Sequence, residues 1–151
     1  MALKNDNEKE TSLFFDHGID PDMIFKKKEM KHRTPMHVAA AAGSLNVLLA
    51  LISRGGSVDL KDNEDLTPLF LACEYNQYGC VRSLIELGAE LEATDKFGRT
   101  PLMLSCKLGS KPTVDLLLKY KADIHAINNL GDSPMSFAQM SGNAEVTMAL
   151  V

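Results

Sequence analysis

Tryptophan is missing from this 151-residue sequence, and aromatic residues supply only 6% of it. Cysteine is sparse as well: Cys73, Cys80 and Cys106 are odd in number and form no CxxC pair. That pattern argues against a zinc cluster, a redox dithiol or a disulfide-stapled miniprotein, and reduced thiols fit a cytoplasmic or nuclear setting. Cytoplasm is the first expectation. Positive charge is not in excess either. Sixteen Lys and Arg face 20 Asp and Glu, for a net charge of −4, so no nucleic-acid or membrane-surface footprint is expected. The opening Met-Ala-Leu-Lys-Asn-Asp-Asn-Glu lacks the apolar stretch of a signal peptide. One run, Thr34 to Ser53, carries no charge and matches a membrane span in length. Pro35, His37, Gly43, Ser44 and Asn46 interrupt it, so a helical hairpin explains it better and no membrane insertion is expected. What remains, 45% hydrophobic and 24% charged residues, is ordinary for a globular chain with one core.

Periodicity decides the fold. Thr34-Pro35, Thr67-Pro68, Thr100-Pro101 and Ser133-Pro134 recur at an interval of 33 residues, followed in register by Gly43, Asn76, Gly109 and Gly142. Thr or Ser caps a helix start, and Pro fits the first helical position because no N–H partner is needed there. Gly, or Asn, then stops a short helix in the left-handed conformation. Ser44, Ser110 and Asn143 are the expected caps of a second helix, with Gln77 the weaker member. That helix carries Leu45, Val47, Leu48, Leu51 and Ile52 in the first copy. It should end at Gly55, Gly88 and Lys121, before turn-rich connectors such as Asp95-Lys96-Phe97-Gly98.

Thr34-Pro-Met-His-Val-Ala-Ala, Thr67-Pro-Leu-Phe-Leu-Ala-Cys and Thr100-Pro-Leu-Met-Leu-Ser-Cys, with Gly88-Ala-Glu-Leu-Glu-Ala and Lys121-Ala-Asp-Ile-His-Ala, together resemble the ankyrin-repeat signature. The resemblance implies an all-α solenoid of stacked helix-turn-helix units with β-hairpin or turn fingers. Repeats are expected at 34–66, 67–99 and 100–132, with a partial fourth at 133–151. Only the first keeps the signature His37; Phe70, Met103 and Ser136 replace it, exchanging hydrogen bonding for packing in the two middle copies.

Terminal copies of such a stack need a covered or polar outer face. Residues 12–33, with Leu13, Phe14, Phe15, Ile19, Met23, Ile24 and Phe25, are expected to act as an N-terminal cap or degenerate half-repeat. Residues 1–11 should be disordered. At the other end Met148 and Val151 call for a cover, either more chain beyond Val151 or another surface; continuation is favoured.

No catalytic motif is present: GxSxG, HExxH and GxGxxG are all missing. Gly109-Ser110-Lys111 reads as a helix start, not a phosphate loop. His17, His32, His37 and His125 fall in different elements and offer no metal pair; Cys73 and Cys106 sit at equivalent core positions 33 residues apart, and Cys80 stands where the first copy has Val47. No catalytic residue, metal or cofactor is therefore expected. The basic run Lys26 to Arg33 reads either as a nuclear-import signal or as a solvated connector beside an acidic body.

The resemblance implies a protein partner bound along finger tips and first-helix ends. Mapped residue by residue, the tips are Asn63, Glu64 and Leu66, then Lys96, Phe97 and Arg99, then Asn129, Leu130 and Asp132. The helix ends are Ala41 and Ala42, Glu74 and Tyr75, Lys107 and Leu108, and Met140 and Ser141. Tyr75, Phe97 and Arg99 are the expected anchors, with Leu108 and Leu130 flanking and Leu66 a further apolar group at a solvated position. The expected function is a non-catalytic, monomeric protein-interaction adaptor. The alternative is an N-terminal regulatory or substrate-recruiting domain of a larger protein, whether enzyme, kinase, ubiquitin ligase or channel.

Overall fold

The computed structural model describes residues 20–24 and 31–151. Within them lie eight α-helices and no β-strand. They are α1 (Pro35–Ala42), α2 (Leu45–Ser53), α3 (Pro68–Glu74), α4 (Tyr78–Glu86), α5 (Pro101–Leu108), α6 (Lys111–Lys119), α7 (Pro134–Ser141) and α8 (Ala144–Ala149). Each odd-numbered helix packs on the next even one and on the odd helix of the following copy; the even helices form a second row. The result is two layers of short helices with fingers projecting from one side.

The repeated residues do the local work the sequence assigns them. Thr67, Thr100 and Ser133 each accept a hydrogen bond from the amide three residues on, at 3.2, 3.3 and 3.4 Å. Gly43, Asn76, Gly109 and Gly142 all take left-handed angles, and so does Lys121 at the end of α6, with φ 67°. Gly43 is further constrained, because a Cβ there would lie 2.2 Å from the Gln77 side chain.

The core follows from the pattern. Every residue from Pro68 to Cys73 is buried, as is every residue from Pro101 to Cys106, since the inner helices have neighbours on both sides. The outer helices bury only one stripe, Leu48 and Leu51 in α2, and Cys80, Val81, Leu84 and Ile85 in α4.

Two expectations need correction. Ser44, Gln77 and Ser110 make no cap bond at their helix starts. Gln77 and Ser110 instead reach to the preceding copy: Gln77 Nε2 donates to the Ala41 carbonyl at 3.2 Å, and the Ser110 hydroxyl donates to Asn76 Oδ1 at 2.8 Å. Asn143 does both, accepting from the amides of Glu145 and Val146 while its Nδ2 donates to the Gly109 carbonyl. The fingers are also loops closed by side chains, with no β-hairpin among the described residues. Asp62 Oδ1 accepts from the amides of Glu64 and Leu66; Asp95 does the same for Phe97 and Arg99, and Asn128 for Leu130 and Asp132. Two backbone bonds complete each loop, such as Asp95 N to Arg99 O at 3.2 Å and Gly98 N to Asp95 O at 3.0 Å.

A carboxylate ladder ties successive copies. Asp59 Oδ1 accepts from Glu90 N at 3.0 Å, and Glu92 Oε1 accepts from Asp123 N at 2.8 Å. Asp22 makes the equivalent contact one step earlier, accepting from Ser57 N at 2.7 Å. At the far end, Met148 and Val151 are exposed. Yet Ser136, Gln139 and Thr147 stand, partly or fully exposed, where Met103, Cys106 and Val114 are buried one copy earlier, so polar groups do occupy part of that face. The expectations for residues 1–11 and most of 12–33, with His17, lie outside the described residues.

Candidate functional site

The fingers decide what faces the concave side. In the third finger Asn129 holds its neighbour directly: its amide donates to the Phe97 carbonyl at 3.0 Å and its Nδ2 to the Lys96 carbonyl at 3.1 Å. Arg99 is clamped by Asp95, with Nε and Nη2 at 2.8 and 2.7 Å from Oδ2. The Phe97 ring projects from this fixed loop, 53% exposed, with Lys96 Nζ 5.2 Å and Arg99 Cζ 5.3 Å from its centroid. Such contacts at an exposed ring stabilise by about 0.5–1 kcal/mol, enough to bias the ring's orientation.

Tyr75 ends α3 and is 54% exposed. It shares with Phe97 an open cavity of about 220 Å³, lined also by Lys31, Arg33, Glu64, Leu66, Phe70, Glu74, Asp95, Lys96 and Arg99. Seven expected site residues thus meet in one hollow: Glu64, Leu66, Glu74, Tyr75, Lys96, Phe97 and Arg99. Asn63, Lys107, Leu108, Asn129 and Leu130 are exposed but do not line it, Leu130 being 87% accessible at the third finger's tip.

Leu66 departs from expectation. It is 8% exposed and packs with Phe70, Leu71 and Leu104, so it forms floor and not rim. Its backbone explains this: Asp62 holds the Leu66 amide, and His37 Nε2 donates to the Leu66 carbonyl at 2.9 Å. Both bonds draw the residue under the finger.

His37 itself is fixed as one tautomer by its partners. The Thr34 amide, which can only donate, meets Nδ1 at 3.1 Å, while a carbonyl, which can only accept, meets Nε2. The ring is therefore neutral with its proton on Nε2. Burial pushes its pKa below the usual value, only partly offset by the bond to the Leu66 carbonyl.

The finger-closing Asp62, Asp95 and Asn128 were not among the expected site residues. Their signal was available: an Asp or Asn stands five residues before each of the last three Thr-Pro or Ser-Pro steps.

A family model for ankyrin repeats (3 copies) matches residues 1–95 and 87–151. The chain belongs to the ankyrin-repeat family. Among curated proteins, none matches it. Ankyrin repeats are generally protein–protein interaction modules and typically non-catalytic. In this ankyrin stack burial disfavours the thiolate at all three cysteines, pushing Cys73 and Cys106 up to about 12 and Cys80 to about 11. Among the described residues no group of three or more His, Cys, Asp or Glu is placed to hold a metal ion. No helix described is long and apolar enough to cross a membrane.

Proposed function

We propose that this ankyrin stack is a non-catalytic adaptor that binds a partner protein along its concave side, as a monomer in the cytoplasm. Tyr75 and Phe97 are the anchors, and Leu108 and Leu130 extend the contact. The observation that carries the reading is the pairing of two half-exposed aromatic rings around one hollow, Tyr75 at the end of α3 and Phe97 on a loop already fixed by Asp95 and Asn129. A preformed surface loses little conformational entropy on binding, so more of the contact energy appears as affinity. Residues 34–66, 67–99, 100–132 and 133–151 are read as its successive repeats and 12–33 as its N-terminal cap, supported by the Asp22 contact to Ser57.

The test is affinity capture by the whole chain, followed by calorimetry with the recovered partner. Truncating Phe97 to Ala should weaken binding by about 1–3 kcal/mol with an unchanged melting curve. A partner held equally well by the Tyr75→Ala, Phe97→Ala and Leu130→Ala variants would refute the concave-side reading.

A further inference from the structure

Resting on that reading, the geometry points to a definite ligand for the hollow between the first and second fingers' bases and α3: an extended segment of the partner that inserts one large apolar side chain, with an Asp or Glu side chain beside it on the finger side.

The apolar half of this inference comes from the floor. Phe70 stands where the preceding copy has His37, so the bottom of the hollow is Phe70 and Leu66, both buried, in place of a hydrogen-bonded imidazole. Tyr75 and Phe97 form the walls. A cavity of about 220 Å³, lined by these four apolar side chains and by seven charged ones, holds one large side chain and is too small for a folded element.

The acidic half comes from which charges are already used. Glu64 is taken by Lys31 at 3.1 Å, Asp62 by Arg33 at 3.3 Å, and Asp95 by Arg99 and two amides. After these pairings the finger side still holds the Lys96 ammonium, which has no carboxylate partner among the described residues. Arg33 engages Asp62 through Nε. A donor thus remains beside Phe97. Among the described lining residues the carboxylate left is Glu74, next to Tyr75 at the end of α3, so the complementary position for the ligand's acid is beside Lys96.

A phage-displayed library of random twelve-residue peptides, selected on the full 151-residue chain, tests this. The enriched peptides should place Phe, Tyr, Trp, Leu or Met within two positions of Asp or Glu. Synthetic copies should lose about tenfold in affinity or more to Phe97→Ala and to Lys96→Glu. Replacing the peptide's acid by its amide should lose a similar factor against the parent chain and almost nothing against Lys96→Glu. Both protein substitutions alter exposed side chains, and circular dichroism melts confirm that the stack is intact. Enriched peptides lacking an acid, or rich in Lys and Arg, would overturn the inference; if Tyr75→Ala or Leu130→Ala still weakened them, the concave-side reading would stand alone. Peptides insensitive to all four substitutions would remove both. No enrichment would overturn the hollow as a peptide site, and enrichment only of peptides bound through a terminal carboxylate would overturn the side-chain assignment.

Discussion

The first and second repeats solve one packing problem in opposite ways. At the third position of α1, His37 ties the helix start to the next finger, using Nδ1 for Thr34 and Nε2 for the Leu66 carbonyl. At the same position of α3, Phe70 makes no such bond and fills the space with a ring. Polar closure positions a backbone by direction, whereas apolar closure depends on volume. The second solution also leaves an apolar surface facing the finger base, and the hollow beside Tyr75 and Phe97 is built on it.

Deleting the ring tests the volume argument most severely. Phe70→Ala removes a side chain that is 1% exposed in the middle of the stack, and large-to-small changes at such aromatic sites cost about 3–5 kcal/mol. Urea unfolding should show a lower midpoint with a cooperative transition retained. A loss under about 1 kcal/mol would mean that Leu66, Leu71 and Leu104 collapse into the space, and that the floor is not fixed by Phe70.

His37→Ala should cost less, about 2–3 kcal/mol, chiefly because the Thr34 amide and Leu66 carbonyl lose their partner while buried. His37→Phe, which imports the second repeat's solution, should recover part of that loss through packing. A His37→Phe protein less stable than His37→Ala would show that the first repeat has no room for apolar closure.

Most of this architecture could be read from residue identity alone, because Thr, Pro, Gly and Asn act within a few residues of themselves. The bounds of α1 and the left-handed stop at Asn76 are local consequences of that kind. Ser110 and Gln77 were misread for the opposite reason: their partners, Asn76 and Ala41, lie one repeat away, and a hydroxyl or amide before a helix looks like a cap when only neighbours in sequence are considered. Leu66 failed in the same manner. Its position at a finger base suggests exposure, and only the contacts of Asp62 and His37 turn it inward. The concave residues were legible as a set because they share the repeat register, but the meeting of Tyr75 with Phe97 depends on how one finger overhangs the inner helix of its own repeat, which no spacing encodes.

Acid should separate the two kinds of repeat by a smaller margin. Burial lowers the His37 pKa, so the unfolded chain, with its histidine near 6.5, binds the proton first as pH falls. The His37 contribution is complete above about pH 6.5 and is lost progressively as pH drops from there through the lower folded value. Protonation would also set an Nδ1–H against the Thr34 amide, two donors face to face. Denaturation midpoints measured from pH 7.5 to 5 should fall faster for the parent than for His37→Phe, which retains every other titrating group. Parallel curves would mean that His37 is not the titrating site that distinguishes the copies.

The smallest effect expected is the most telling for function. Phe97 is as large as Phe70 and lies only one helix and a loop away, yet its ring is half exposed and rests on Lys96 and Arg99. Removing it leaves the finger closed, because the Asp95 and Asn129 bonds reach its backbone and not its ring. Phe97→Ala should therefore shift stability by no more than about 0.5–1 kcal/mol, the share held by the two cation contacts. A loss approaching that of Phe70→Ala would make Phe97 a structural residue of the finger, and Tyr75 would be left as the hollow's one free aromatic wall. Near-neutral stability would leave the large exposed ring without a folding role, as expected of a side chain whose partner lies outside the chain.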